Sequence, residues 1–220
     1  MLSSEEIRTN LAAVNACIEA ACRRAGRKRD EVTLVAVTKT FPAEAVQRAI
    51  DAGATHIGEN RVQEAREKKP LVAPAARWHL IGHLQSNKAK EAVRLFDVIE
   101  TVDSLDLAAR LDHAAQEEGK TQEILLQVNI GHEPQKSGAD PEAAADLAHA
   151  IGTLRSLSLR GLMTVPPIGD SRPYFRALRD LRDRIGVEHL SMGMSADYEV
   201  AIEEGATLVR VGSAIFGSRG

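Results

Sequence analysis

Two places in this sequence carry residues whose types and surroundings could do chemistry. The first is Lys39, at the end of the run TLVAVTK, residues 33–39. Leu34, Val35, Ala36 and Val37 precede it, so its amine emerges beside apolar walls that disfavour the ammonium form and lower its pKa. A neutral amine in such a place is a nucleophile toward carbonyls. Position alone fits equally a strand-end lysine that runs its stem along apolar surface to solvent. The second place is a pair of small-residue segments, SMGMS at 191–195 and VGSAIFG at 211–217. Gly212 and Ser213 set backbone amides where a ligand can approach without a Cβ in the way. Amides at a helix N-terminus suit a phosphate group. The competing reading is two tight turns, with Ser195 capping a helix from Tyr198 to Glu204.

The elements that would position these residues form a regular series. An amphipathic helix spans roughly residues 4–25, and eight short β-rich runs follow at 33–39, 55–59, 77–82, 97–102, 123–130, 158–165, 188–193 and 207–212. Helix signals separate them: Pro42 before AEAVQRAI, Asp103-Ser104 before LDLAARLDHAAQ, and Pro141 before EAAADLAHAI. Such alternation implies parallel strands buried on both faces, either an open doubly wound sheet or a closed barrel. Eight units, and a first strand ending VTKT without a glycine fingerprint, favour a (β/α)₈ TIM-type barrel with an additional N-terminal helix. Polar residues fall at the strand ends: Lys39, Glu59-Asn60, His83, Asn129, Met163-Thr164, Ser191 to Ser195 and Arg210 to Ser213. In a barrel these converge on one mouth, so a lysine after strand 1 faces a phosphate site made after strands 7 and 8. That pairing suits a phosphate-bearing aldehyde, with pyridoxal 5′-phosphate the leading candidate.

Composition limits the alternatives. The chain has 220 residues, 44% of them hydrophobic, which suits one domain spanning 1–220. A net charge of −3 and pI near 6.2 give no footprint for nucleic acid or an anionic membrane. The acidic, polar start MLSSEEIRTN is unlike a signal peptide, and no apolar stretch is long enough to span a bilayer, so a cytoplasmic location is expected. Cys17 and Cys22, five apart on a helix, match no metal or redox motif. His56, His79 and His83 lack a carboxylate or thiolate at ligand spacing and are read as structural or surface residues, so no metal is expected. Lys88 and Lys90 read as a solvated face. Lys136 lies in NIGHEPQKSG, a loop near the same rim. As a mobile lysine it could take a cofactor from Lys39 by transimination, and it is equally a plain surface residue.

Seven segments in order carry a family resemblance: VAVTKT at 35–40, HIGENRVQEA at 56–65, WHLIGHLQSNK at 78–88, KSG at 136–138, GLMTV at 161–165, SMGMSADYEVAI at 191–202 and RVGSAIFG at 210–217. The chain resembles the pyridoxal phosphate homeostasis proteins, a family similar to the barrel domain of alanine racemase. The resemblance implies that Lys39 carries the cofactor as a Schiff base and that Ser191, Ser195, Gly212 and Ser213 hold its phosphate. It also implies that Arg210 lies against the pyridine nitrogen, with Asn60 beside the ring and Met163 and Met194 counted among the cofactor-binding residues. Arg61 stands where an aromatic is usual, and Gly131-His132 falls in a variable loop.

Three functions compete on this framework. A carrier would hold pyridoxal phosphate and deliver it to apo-enzymes without robust amino-acid turnover, with no catalytic residues and as a monomer. A racemase-like enzyme would need a second acid–base on the opposite face of the substrate. In the similar racemases a further C-terminal domain and a partner subunit bring that group, and this sequence stops at Gly220 after the eighth unit. A cofactor-free Schiff-base aldolase would need a carboxylate at the mouth, for which Glu59 is the one candidate. The carrier is the favoured expectation.

Overall fold

The computed structural model describes residues 2–217. Eight strands appear where the eight runs were expected: β1 Thr33–Val37, β2 His56–Glu59, β3 Arg77–Leu80, β4 Val98–Val102, β5 Gln122–Gln127, β6 Leu157–Met163, β7 His189–Ser191 and β8 Leu208–Val211. They pair in parallel, in chain order, and close into a barrel. The closing seam joins β1 to β8 with Thr33 opposite Leu208 and Ala36 opposite Val211. Nine helices are described: α1 Ser4–Arg24, α2 Ala43–Asp51, α3 Val62–Lys68, α4 Ala89–Leu95, α5 Leu105–Glu117, α6 Ala144–Ile151, α7 Arg172–Ile185, α8 Tyr198–Glu203 and α9 Ser213–Phe216.

The additional N-terminal helix is α1, and a capping box holds its start. The Ser3 hydroxyl accepts from the Glu6 amide at 3.2 Å, and the Glu6 carboxylate accepts from the Ser3 amide at 2.7 Å. Its buried stripe, Ile7, Leu11, Val14, Ile18 and Ala21, recurs at the three-to-four spacing that puts one helical face on a core. That face packs on α8 and α9, beside the closing seam. α6 begins at Ala144 rather than directly after Pro141. The Asp140 side chain accepts from the Glu142 amide at 2.9 Å, which makes a turn of the residues expected to open the helix.

Strand alternation divides the core. Ala36, Ile57, Trp78, Leu80, Ile99, Ile124, Leu126, Leu162, Leu190 and Val209 face the helices in one large apolar cluster. The other face lines the barrel interior. There Val98, Leu125 and Met163 form a small separate cluster, alongside buried His79, Glu100, Ser191 and Arg210. Among the described residues, no helix is long and apolar enough to cross a membrane.

Candidate functional site

A cavity of about 500 Å³ opens at the carboxyl ends of the strands. Lys39, Asn60, Met194, Ser195, Arg210, Gly212 and Ser213 all line it, seven of the nine residues singled out from sequence. Ser191 and Met163 do not. Ser191 is wholly buried, donates to Glu100 at 2.5 Å and accepts from Arg210 at 2.6 Å, so its hydroxyl is committed below the cavity floor. Met163 packs on Val98 and Leu125 inside the barrel and borders a smaller neighbouring cavity. Apolar lining comes from Val37, one of the apolar residues read as walls for Lys39, and from Phe41, Ile81 and Val165, which sequence reasoning passed over. Inward alternation at the ends of β3 and β6 is the signal that marks Ile81 and Val165.

Lys39 is half-buried and sits two residues beyond β1, in a turn closed by the Phe41 amide donating to the Thr38 carbonyl at 3.1 Å. The next residue, Thr40, takes a φ of 68°, unusual for a β-branched side chain. A cage secures this strained turn. The Thr40 amide donates to Glu64 at 2.7 Å, and the buried Lys68 ammonium donates to the Thr38 carbonyl, Glu59 and Glu64 at 3.0, 2.8 and 3.0 Å. The Thr38 hydroxyl completes it, donating to Glu59 at 2.6 Å. Burial pushes the Glu59 carboxyl up to about 6 against the opposing pull of Lys68 and Thr38. Glu59 therefore braces the turn behind Lys39 instead of lining the cavity, which removes the one carboxylate an aldolase reading had.

The loops after β7 and β8, which also line the cavity, are tied together. Ser195 Oγ accepts from the Gly212 amide at 3.3 Å, which leaves the serine O–H able to donate toward the cavity. Ser195 does not cap the following helix as the turn reading had it. Asp197 is the residue at that position, and its carboxylate accepts from the Met194 amide at 2.7 Å. Gly193, at a φ of 90°, lets the loop press on α8: a Cβ there would lie 2.5 Å from Ala201 Cβ and 2.9 Å from Tyr198 Cα.

Arg210 forms the floor, nearly enclosed at 4% exposure. Burial lowers its pKa and the Glu100 charge opposes that. Its Nη2 donates to the Thr164 carbonyl at 2.7 Å and its Nη1 to Ser191. Glu100 is fully buried. Burial pushes its carboxyl up, but the hydrogen bond from His79, the His79 and Arg210 charges and the bond from Ser191 outweigh it and leave the pKa lowered. His79 meets Glu100 through Nδ1 at 2.7 Å and His56 through Nε2 at 2.8 Å. These contacts hold both rings within the barrel. A carboxylate does accompany His79, however, brought from β4 by strand pairing rather than by spacing along the chain.

Lys136, read from sequence as a surface residue or a mobile relay, is half-buried and held. Its ammonium contacts Glu133, donates to the Pro166 carbonyl at 2.9 Å and lies 3.5 Å from the Val165 carbonyl. Among the described residues lining the main cavity, Lys39 and Arg210 are the ionisable ones. The lining brings together an amine, small hydroxyl and amide donors and a fixed cation. Those fit an aldehyde, a phosphate and a hydrogen-bond-accepting ring in turn.

Comparison with known proteins agrees with this geometry. Residues 9–220 match the family described as alanine racemase, N-terminal domain. The pyridoxal phosphate homeostasis protein of Escherichia coli strain K12 is 41% identical, with 97% of each chain covered. That of Aquifex aeolicus is 41% identical over 92% of this chain and 93% of its own. PipY of Synechococcus elongatus PCC7942, solved with PLP bound, superposes with a TM-score of 0.86 at 38% identity, covering 96% of this chain and all of PipY. Alanine racemase of Clostridium difficile 630 shares the fold at 16% identity and a TM-score of 0.75, over 98% of this chain and 57% of the racemase.

Proposed function

The chain belongs to the alanine racemase N-terminal domain family, among its pyridoxal phosphate homeostasis proteins, and on that premise we propose that it binds pyridoxal 5′-phosphate as a Schiff base on Lys39. Its role is to hold the cofactor within the cell's homeostasis of it and release it to apo-enzymes, as a monomer acting through one domain spanning 1–220. One observation carries the reading. A single cavity is lined by Lys39, by the small residues Ser195, Gly212 and Ser213 of the loops after β7 and β8, and by Arg210. The PLP-bound structure of PipY supports it.

When bound, the cofactor supplies an electrophilic aldehyde and an electron-accepting ring. The chain's own residues restrict the chemistry open to it. Arg210 only donates hydrogen bonds, so a pyridine nitrogen facing it accepts and stays unprotonated, which makes the ring a weak electron sink. Among the described residues lining the cavity, Lys39 and Arg210 are the ionisable ones, and racemisation needs acid–base groups on both faces of a substrate. Asn60 contributes an amide beside the ring, and Met194 and Ala196 cover the phosphate end. These features favour a carrier over a racemase-like enzyme, which is the second reading.

Borohydride reduction of the loaded protein, followed by peptide mass analysis, tests the assignment. A pyridoxyl group is expected on Lys39, and its absence from Lys39 with modification elsewhere would overturn the reading. Turnover of any amino acid at the enzymatic median of about 10 s⁻¹ would favour the racemase-like alternative. Sedimentation at the mass of a single chain, with cofactor bound, is the expected assembly state.

A further inference from the structure

Arg210 is one end of a chain of buried polar groups that crosses the barrel interior. From Arg210 the contacts run to Ser191 on β7, Glu100 on β4, His79 on β3 and His56 on β2. His56 in turn borders a cavity shared with Asn15 of α1, Arg29 and Thr33, away from the strand ends that form the site. The chain admits one direction of donation on the Arg210 side. Arginine has no acceptor, so Ser191 Oγ accepts from it and its single proton goes to Glu100. On the other side, an ionised Glu100 accepts from His79 Nδ1–H, and His79 Nε2 and His56 Nδ1 share one hydrogen, which either ring can donate. Glu100 is the anion on which all the donors converge.

The serine between Glu100 and Arg210 matters. Glu100 Oε2 stands 4.0 Å from Arg210 Nη1, near enough to balance its charge without taking the guanidinium fork in a bidentate grip. One N–H is engaged by Ser191 and another by the Thr164 carbonyl, from two sides, while the group still lines the cavity. We propose that Glu100, acting through the Ser191 hydroxyl, is the positioning residue that fixes Arg210 on the cavity floor, so that the site selects rings offering a hydrogen-bond acceptor at that point. This rests on the cofactor reading above and adds a specificity to it. His79 and His56 hold the carboxylate in place from behind.

The test compares two probes, pyridoxal 5′-phosphate and its 1-deaza analogue, in which a ring C–H replaces the nitrogen. Both are titrated by absorbance into the wild-type protein and into Glu100→Gln, Ser191→Ala and Ser191→Thr. The wild type is expected to prefer the pyridine by roughly ten- to a hundredfold, the range for a hydrogen bond with one charged partner. Glu100→Gln and Ser191→Ala bring that ratio toward one through loss of pyridoxal phosphate affinity, with the analogue bound about as before. Ser191→Thr, which keeps the hydroxyl, restores the ratio. In an Arg210→Met background Glu100→Gln changes the ratio no further. Should Glu100→Gln fail to fold, Ser191→Ala, which leaves Glu100 on His79, decides. An unchanged ratio in the variants, equal loss of both probes, or no preference in the wild type would overturn the proposal and leave the cofactor reading standing. Binding of neither probe by the wild type would overturn both.

Discussion

Replacing Gly193 and Gly186 separately by alanine distinguishes backbone strain from packing in the 191–195 loop that lines the cavity. Both glycines have positive φ, 90° and 80°, so a Cβ brings each a left-handed penalty of about 1–2 kcal/mol. Their surroundings differ. At Gly186, just past α7, a Cβ would meet nothing within 4 Å, so the penalty stands alone. At Gly193 the same atom would meet Ala201 Cβ at 2.5 Å and Tyr198 Cα at 2.9 Å, parts of a helix that cannot yield as a flexible side chain would. Overpacking adds about 1–3 kcal/mol, which puts Gly193→Ala at roughly 2–5 kcal/mol in all. Urea unfolding of both variants without ligand measures the difference, and pyridoxal phosphate titration reads the site. Gly193→Ala should push the 191–195 loop off α8 and weaken binding, while Gly186→Ala leaves binding unchanged. Equal destabilisation by the two, or unaltered ligand affinity in Gly193→Ala, would refute the claim that the glycine sets the loop's approach to the helix.

Two further outcomes rest on the contacts. Ser195→Ala removes both the acceptor for the Gly212 amide and one donor to the cavity, so it should weaken retention of pyridoxal phosphate by about 1–3 kcal/mol, measured by equilibrium dialysis. Stability should also respond to pH through two groups of opposite sign. His56 is lowered from 6.5 to about 4, chiefly by burial and then by His79, so the unfolded chain protonates first and stability falls as pH drops from about 6.5 toward 4. The full shift corresponds to roughly 3 kcal/mol, which partial exposure of the ring reduces to about 1–2. Glu59, raised from 4.5 to about 6, is favoured in its protonated form, so its share is present at low pH and lost as pH rises through about 6. Urea titrations from pH 4 to 7 should show His56→Gln flattening the acid loss and Glu59→Gln steepening it; the reverse pattern would refute both assignments.

The strands were legible because each is a short apolar run between helix signals, and parallel closure then brings their ends to one mouth whatever the loops do. That is how Lys39 and Arg210, far apart in the chain, could be paired from the sequence. Glu100 escaped notice because its setting, DVIETV, reads as an ordinary strand, and its partners His79, Ser191 and Arg210 come from three other strands. A charged residue inside an apolar strand is itself a sign of a buried partner, and that sign was there to be read. Ser191 followed the motif rather than the pleat: it belongs to the small-residue segment, but alternation along β7 turns it into the barrel. The contacts of Lys136 were not legible because the carbonyls of Val165 and Pro166 come from a segment after β6 that no local pattern connects to its loop.

Pairing of β1 with β8 has a consequence for biosynthesis. The strand that presents Lys39 gains its second neighbour only when Leu208–Val211 has emerged from the ribosome, at ordinary elongation rates roughly ten to thirty seconds after β1 itself. Until then one edge of the nascent sheet is open, and the lysine lacks the part of the cavity lining that Arg210, Ser195 and Gly212 supply. The cavity is thus assembled only once β8 has joined β1. A translation product stalled before β8 carries the lysine without that cavity.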